Sequence, residues 1–294
     1  MPLIGEIAAL VTAALWAGSS IVFTEAARRM GSQMININRM IVAGILLFIT
    51  ILIAGWNIFI PEKDIFLLVI SGLIGLVFGD GFLFKAFQKI GARFSMLIMS
   101  LVPAMSAILA YVFLGERLSL TVLFGMAVTL AGITFVVSEG KPNAKERLTL
   151  IGVVFALFGA LGQAGGLLFA KAAFSHGEIN GFVAAFIRIG SSALLYLPVM
   201  LIMKSYINPV KLYRHDTKSL YLTFAGGIFG PYFGMTLSLV AIKYTDVGIA
   251  STLMATVPVL MLPLLRIIYK EKITIRGIVG TIIAVAGVAI LFLH

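Results

Sequence analysis

The stretch GLIGLVFGDG at residues 72–81 recurs in altered form as GIFGPYFGMT at residues 227–236. Both copies carry glycine at their first, fourth and eighth positions and phenylalanine at their seventh. Glycine and proline have specific backbone roles, so coincident glycines weigh more than coincident leucines in an apolar chain. The two stretches therefore predict an internal repeat.

The correspondence extends outward in both directions. Residues 72–138 align on 227–293 without a gap, at a shift of 155 positions. Its rarer matches pair Pro103 with Pro258, Glu116 with Glu271, Gly125 with Gly280 and Gly132 with Gly287. Nearer the N-terminus a shift of 147 pairs Trp16 with Gln163, and a two-residue insertion then brings Arg39 opposite Arg188.

The composition predicts that this repeated chain lies in a membrane. Of its 294 residues, 61% are hydrophobic and 12% are charged, and the mean hydropathy is +1.10. Soluble domains have roughly 45–50% apolar and about 25% charged residues. Too little polar surface remains for a cytosolic enzyme, a nucleic-acid-binding domain or a secreted scaffold. The chain has no cysteine, which excludes disulfides, and we expect its first apolar stretch to be retained rather than cleaved.

Ten apolar segments are long enough to cross the hydrocarbon core as helices, which needs about 20 residues each. The predicted spans are 4–23, 34–54, 65–84, 94–114, 120–138, 149–170, 180–203, 220–240, 247–269 and 275–293. The predicted fold class is an all-α polytopic membrane protein with ten transmembrane helices. The loops between them are too short to form a soluble domain.

Each repeat holds five predicted spans, an odd number. The second copy therefore enters the membrane in the opposite direction, and two inverted five-helix repeats are an architecture that recurs in transporters. The predicted domains are a first repeat over 1–140, a cytoplasmic linker over 141–148 and a second repeat over 149–294.

Basic residues favour one orientation. The odd-numbered loops hold 16 lysines and arginines, and the opposite face holds 4. Cytoplasmic loops carry the excess of basic residues, so the odd loops are predicted to be cytoplasmic. With ten spans, both termini of this multi-pass protein of the cell membrane are then expected outside the cytoplasm.

The chain resembles the EamA branch of the drug/metabolite transporter superfamily, over its whole length and in both repeats. The resemblance rests on the glycines of span 3, Pro103, LGERL at 114–118, Pro258, EKI at 271–273 and Gly280, and the two early arginines also fit. Lys270 departs from the pattern, because the first repeat has Gly115 there. The resemblance implies ten helices around a central cavity. It also implies export or exchange of small metabolites such as amino acids or nucleosides.

Three ionisable residues, Arg39, Asp80 and Arg188, lie several positions inside predicted spans. A charge at a helix centre costs about 2.5–3.5 kcal/mol on insertion scales, so Arg39 and Arg188 are candidates for substrate binding and Asp80 is a candidate functional group. The alternative for both arginines is snorkelling to the interface or a structural clamp on carbonyls. Asp80, whose counterpart is Met235, is the candidate for proton coupling. Its alternative is an ion pair with Arg39 or Lys85.

Other polar residues are candidates for substrate binding. Trp16 and Gln163 are each followed by small residues, and a ring opposite an amide could hold a small polar molecule. The alternative is helix packing. Ser19, Asn38 and Tyr232 are predicted to line the same cavity.

Pro103 and Pro258 fall in the middle of spans 4 and 9, where proline kinks a helix. Symmetric kinks could act as hinges or as fixed bends that shape the cavity. The glycines of spans 5 and 10 recur at seven-residue spacing on one helix face. They predict packing between the halves or between protomers. Glu116 and Glu271 precede helix N-termini and are interpreted as structural.

These features favour a secondary active transporter that moves a small metabolite across the cell membrane by alternating access, as an exporter or exchanger. The histidines lack metal-ligand spacing and no phosphate-binding loop is present, so we predict no enzyme activity, metal or other cofactor. A lipid or lipid-linked sugar translocase on the same fold is the alternative. Expected partners are a small-molecule substrate, membrane lipid and coupling protons, not nucleic acid. The expected oligomeric state is a monomer or homodimer.

Overall fold

The computed structural model describes residues 3–138, 149–175, 178–269 and 275–291. Within these ranges the regular secondary structure is helical throughout. The linker predicted over 141–148 and the EKI motif at 271–273 lie outside the described residues.

The first repeat consists of α-helices joined by short turns. They are α1 (Ile4–Met30), α2 (Ser32–Ala54), α3 (Glu62–Gly72), α4 (Asp80–Met99), α5 (Val102–Leu114) and α6 (Leu120–Ser138). A π-helical segment, Leu73–Gly79, joins α3 directly to α4. Helix α4 is interrupted at Gly91, whose φ of 74° lies in the left-handed region that favours glycine.

The second repeat follows the same plan. Its helices are α7 (Leu150–Phe174), α8 (Gly181–Ile202), α9 (Pro209–His215), α10 (Thr217–Gly227), α11 (Thr236–Tyr244), α12 (Val247–Met254), α13 (Val257–Tyr269) and α14 (Ile275–Leu291). A second π-helical segment, Ile228–Met235, joins α10 to α11. The short α9 has no predicted span and lies in the loop before α10.

Eight helical stretches of the described residues are long and apolar enough to cross a membrane. Two shorter apolar helices, Leu120–Phe135 and Ile275–Ile290, coincide with predicted spans 5 and 10. Spans 3 and 8 are longer than predicted, at Glu62–Ala92 and Thr217–Tyr244. The chain is therefore a multi-pass helical membrane protein, as its composition predicted.

Spans 4 and 9, for which the sequence predicted kinks, are each interrupted by a turn just before the predicted proline. Turns at 100–101 and 255–256 separate α4 from α5 and α12 from α13. Pro103 and Pro258 each lie in the first turn of the helix that follows. Proline has no N–H to donate to the carbonyl four residues earlier, so the regular helical hydrogen bonding is interrupted at these turns. The prolines therefore begin second half-helices.

The two repeats interlock. Helix α1 packs on α10, the second π-helical segment and α11, whereas α7 packs on α3, the first π-helical segment and α4. The first span of each repeat thus lies against the third span of the other, and α2 lies against α8. One hydrophobic core cluster contains residues of both repeats.

The packing of α6 on α14 confirms the interpretation of their glycines. A Cβ atom added to Gly132 would lie 2.7 Å from the Cα of Ala284, and one added to Gly287 would lie 2.8 Å from the Cα of Thr129. Small residues let two helix backbones approach this closely. The last spans of the two repeats therefore pack on each other within one chain.

Glu116 has the structural role predicted for it, but at another helix. Its Oε2 accepts a hydrogen bond at 3.1 Å from the backbone N–H of Val247, the first residue of α12. Its Oε1 lies 4.0 Å from Lys171 Nζ, which donates to the carbonyls of Ile242 at 2.7 Å and Thr245 at 3.0 Å. Glu116 therefore caps α12 and not the helix that follows it in sequence.

Candidate functional site

A cavity with a volume of about 90 Å³ lies where the two repeats meet. Much of its lining consists of equivalent positions of the two copies. These pairs are Trp16 and Gln163, Ser20 and Leu167, Asp80 and Met235, Met96 and Ser251, Met99 and Met254, Ser100 and Ala255, and Val102 and Val257. The cavity is therefore built by the same elements of both repeats.

One wall of the cavity is an ion pair supported by two amide side chains. Arg39 Nη2 forms a salt bridge with Asp80 Oδ2, and Gln163 Nε2 donates to Asp80 Oδ1 at 2.8 Å. Arg39 Nε and Nη2 also donate to Asn36 Oδ1, at 3.2 and 2.9 Å. Arg39 is 4% exposed and Asp80 is 3% exposed. Buried charges need this kind of pairing and hydrogen bonding to offset their desolvation.

The sequence offers two ion-pair partners for Asp80, Arg39 and Lys85, and the structure distinguishes between them. Asp80 pairs with Arg39, which lies 41 positions away in sequence. Lys85 is only five positions away, but its ammonium lies over the rings of Phe82 and Phe155, at 5.2 and 5.7 Å. The salt bridge therefore joins α2 to the start of α4 rather than one turn of α4 to the next.

Arg39 is held inside the protein and does not snorkel. Its guanidinium carbon lies 5.2 Å from the ring centre of Phe23 and 4.6 Å from that of Phe84. A guanidinium over an aromatic face gains electrostatic energy from the ring quadrupole. The two rings also line the cavity, so they cover the ion pair on its apolar side.

Asn36, rather than Asn38, supports Arg39 from behind the wall, and neither asparagine lines the cavity. Asn36 is fully buried and its Nδ2 donates to the carbonyl of Leu76 at 3.0 Å. Asn38 Nδ2 instead donates to Tyr213 Oη at 2.8 Å, away from the cavity lining. Residues three apart share a helix face. The spacing of Asn36 and Arg39 was therefore the sequence signal that could have selected the correct asparagine.

Arg188 lies behind the cavity wall and is fully buried. Its Nη1 lies 3.3 Å from the sulfur of Met235, which lines the cavity. Its Nε and Nη2 have no hydrogen-bond partner among the residues that the structure describes. Like Arg39 it does not snorkel, and it clamps no described carbonyl.

The remaining sequence candidates divide between the cavity and the surrounding helices. Trp16, Ser19 and Gln163 line the cavity. Tyr232 does not: its hydroxyl lies 2.8 Å from the hydroxyl of Thr50, which ties the second π-helical segment to α2. The cavity lining thus includes the candidates from the first spans of both repeats but not Tyr232.

The rest of the cavity wall is apolar and adaptable. Phenylalanine and methionine side chains dominate it, among them Phe87, Met96, Met99 and Met254. Methionine is flexible and fits irregular shapes, so such a wall can adjust to the apolar part of a ligand. Within the described ranges no group of three His, Cys, Asp or Glu side chains could hold a metal ion.

The two π-helical segments occupy equivalent positions of the repeats and contribute to the cavity. Asp80 directly follows the first segment, and Gly230 and Met235 belong to the second. The π-helix is rare and is often found at functional sites. Its sequence signal is the triplet of glycines that first revealed the repeat, with Pro231 added in the second copy. Sequence reasoning did not predict these segments.

Both copies of the repeat match the model of one family, the EamA-like transporter family, over residues 3–138 and 150–293. The chain belongs to the EamA-like transporter family. This EamA-like protein is thus a membrane transporter of the drug/metabolite type, in agreement with the resemblance seen in its motifs.

The EamA-like fold is also found among solved structures. One, a crystal structure of a protein 17% identical in sequence, matches over 100% of this chain and 98% of the other, with a TM-score of 0.79. At that identity the likeness concerns the fold alone. Among curated proteins, none matches the chain.

Proposed function

We propose that this EamA-like transporter is a secondary active transporter. It moves a small metabolite, such as an amino acid or nucleoside, across the cell membrane by alternating access, as an exporter or exchanger. The observation that carries the proposal is the cavity between the repeats, lined by equivalent residues of both. Matched walls allow one repeat to open the cavity while the other closes it, as in transporters built from inverted repeats.

Broken helices at the cavity support this mechanism. The breaks before α5 and α13 bring Ser100 and Ala255 into the lining at equivalent places. Discontinuous helices expose backbone polar groups at a binding site and mark the points where transporter helices bend. We place the hinges here, with Pro103 and Pro258 fixing the start of each second half-helix.

The lining favours a cargo with one polar and one apolar end. Gln163, Asp80 and Arg39 form the polar wall, and phenylalanines and methionines make up much of the remaining lining. Ligand sites generally combine a mostly apolar lining with a few polar groups that fix orientation. An amino acid with an apolar side chain, or a nucleoside, has this division.

Exchange of radiolabelled amino acids and nucleosides in proteoliposomes tests the proposal, with adjacent tryptophan substitutions as a matched pair. Ser100 lines the cavity and is 6% exposed, whereas Leu101 is 43% exposed. Ser100→Trp is expected to abolish exchange because the indole occupies the cavity, and Leu101→Trp is expected to retain it. Wild-type exchange by Ser100→Trp, or no exchange by the unmodified protein, would contradict the proposal.

Asp80 is our candidate for proton coupling. Its carboxylate is the acidic group of the cavity lining and already accepts from Arg39 and Gln163. Protonation would weaken both bonds and free the arginine, which links proton binding to a change of the wall. Asp80→Asn, which unlike leucine keeps an acceptor oxygen beside Arg39 and Gln163, should exchange cargo but lose its response to an imposed pH gradient. Lys85→Gln, outside the lining, is the control, and an intact pH response in Asp80→Asn would exclude this role.

The proposed orientation rests on the excess of basic residues in the odd-numbered loops, and ion pairs agree with the grouping of the loops onto two sides. Arg29 and Asp216, which both lie on the face proposed to be cytoplasmic, form an ion pair with 3.1 Å between Nη1 and Oδ2. Glu116 and Lys171 meet at the opposite end of the protein. Both termini are then outside the cytoplasm. A fluorescent protein that matures only in the cytoplasm, fused to either end, should stay dark, and bright fusions at both ends would reverse the orientation.

The apolar majority of the lining favours one second candidate, a lipid or lipid-linked sugar translocase. Such a protein would move fluorescent lipid between leaflets of vesicles. It would not exchange amino acids or nucleosides, so the exchange assay separates the two functions.

A further inference from the structure

The corner between α11 and α12 in the second repeat is held by side chains from elsewhere in the fold. Lys171 of α7 donates to two carbonyls at this corner, those of Ile242 at 2.7 Å and Thr245 at 3.0 Å. Glu116, which follows α5 in the first repeat, accepts from the N–H of Val247 at 3.1 Å. Helix ends leave such groups without partners in their own helix, so these two side chains fix the corner.

The corner lies directly over the cavity. Lys171 is one helical turn beyond Leu167, and Val247 is one turn before Ser251. Leu167 and Ser251 both line the cavity, and one turn of helix is about 5.4 Å long. Helix α12 is buried along its whole length between the corner and the cavity. The contacts at the corner therefore close the cavity at this end.

Glu116 connects two half-helices at the ends that lie far from the cavity. Helix α5 starts after the break at 100–101, and α12 ends at the break at 255–256. An apolar contact lies beside the Glu116 bond: a Cβ atom on Gly248 would be 2.8 Å from Leu118 Cδ1 and 3.4 Å from the Cβ of Ala107. The half-helices can therefore separate only if the bond from Val247 to Glu116 breaks.

Asp246 stands in the capping position of α12 but does not cap it. Aspartate is among the favoured N-cap residues, yet its side chain makes no capping hydrogen bond with the described residues. The Glu116 carboxylate lies at the same helix end, and the negative charges of the two carboxylates repel each other. If Glu116 withdraws, the Asp246 side chain is able to turn toward the N–H groups of α12. The helix end then keeps a cap in both arrangements.

The first repeat lacks these charged groups at the equivalent corner. Thr24 occupies the position of Lys171, and Gly91 occupies the position of Asp246. Thr24 Oγ1 donates to the carbonyl of Ser20 within its own helix, and glycine has no side chain. The pairing of Lys171 and Asp246 is therefore a property of one end of the cavity and not of the repeated fold.

We infer that Glu116 is a latch that keeps the cavity closed at this end, and that opening transfers the cap of α12 from Glu116 to Asp246. This inference rests on the proposed function, in which this end faces away from the cytoplasm. Release of Glu116 separates the far ends of α5 and α12, and the two helix breaks act as their pivots. Glu116 lies outside the cavity lining, so it is a positioning residue.

Labelling of a cysteine in the cavity tests the inference, because the chain has no cysteine of its own. Ser251→Cys places a thiol of nearly the same size in the lining. A membrane-impermeant thiol reagent is applied to intact cells and to inverted membrane vesicles. Arg117→Cys, at an exposed position next to Glu116, shows which preparation presents this end. The labelling rate of Ser251→Cys from that side measures how often the cavity opens there.

Two further substitutions in the Ser251→Cys protein should move this rate in opposite directions. Glu116→Ala should raise it at least about fivefold, because the closed arrangement loses the cap of α12. Asp246→Ala should lower it about fivefold, because the open arrangement loses its cap. Glu116→Gln, which keeps an acceptor for the Val247 N–H, should give a rate between those of Glu116→Ala and the parent. Arg117→Ala is the matched control and should leave the rate unchanged.

The outcomes separate this inference from the proposed function. An unchanged or higher rate in Asp246→Ala overturns the cap exchange, and this result is readable even if Glu116→Ala does not fold. A folded Glu116→Ala protein with the parent rate shows a cap that serves stability alone, and no labelling from this side in any variant overturns the latch too. Cargo exchange together with equal labelling rates leaves transport intact and refutes the inference. Opposite changes in rate without exchange in proteoliposomes support the latch and refute transport.

Discussion

Arg39 and Arg188 occupy equivalent positions in the two repeats, but within the described part of the chain only Arg39 has a carboxylate partner. The difference follows from a single position, Asp80 in the first copy and Met235 in the second. The two repeats share one arrangement of helices, but they place different side chains at equivalent positions of the cavity wall. The asymmetry gives one wall of the cavity a paired charge, and it leaves Arg188, behind Met235, without a carboxylate partner among the described residues.

The Arg39–Asp80 pair should be strongly coupled energetically. Arg39→Met and Asp80→Leu should each lower the free energy of unfolding by about 3–5 kcal/mol, because each leaves a buried charge without its partner. The double substitution should cost much less than the sum. Denaturant unfolding in mixed micelles measures the cycle, and additive single effects would show that the two residues do not depend on each other.

Gly162 should not tolerate a side chain. A Cβ atom there would lie 2.5 Å from the Cα of Gly79 and 2.9 Å from the carbonyl of Ile74, so α7 and the first π-helical segment would be forced apart. Gly162→Ala is expected to lower the free energy of unfolding by about 1–3 kcal/mol. Gly44→Ala has open space around it and should gain about 0.5–1 kcal/mol. Equal effects of the two substitutions would contradict this packing.

The stability of the cap on α12 should depend on pH. Burial, and then the charge of Asp246, raise the pKa of the Glu116 carboxyl above its ordinary value of 4.5. The folded state therefore binds this proton more tightly than the unfolded state, and the free energy of unfolding falls as pH rises from 4.5 through the folded pKa. Glu116→Gln, which keeps an acceptor for the Val247 N–H, should remove that part of the slope. The prediction would be refuted if the free energy of unfolding changed equally with pH in the unmodified protein and in Glu116→Gln.

The break in span 4 should control the rate of transport. Pro103→Ala restores a backbone N–H and permits α4 and α5 to join, which opposes bending at the cavity. Exchange should become several-fold slower while the KM for the exchanged cargo is unchanged. Pro198→Ala, inside α8 and away from the cavity lining, is the control. A wild-type rate for Pro103→Ala would rule out a hinge at this break.

The sequence alone was enough to predict a membrane protein with an internal repeat, because both features depend on local patterns. Long apolar runs need only be counted, and the shared glycines and prolines of 72–138 and 227–293 reveal the repeat without any knowledge of packing. The rarity of charge inside the spans also selected Arg39, Asp80 and Arg188, since burial of an ionisable group is costly wherever the helix ends up.

Tertiary structure decided which of these groups meet. Asp80 pairs with Arg39 on another helix rather than with nearby Lys85, Asn36 joins the pair in place of Asn38, and Arg188 is left behind Met235. Such partnerships depend on the rotation of each helix and on its close crossing with helices of the other repeat. Hydropathy and spacing along one chain determine that a charge is buried, but only the packing of all the helices determines what it faces.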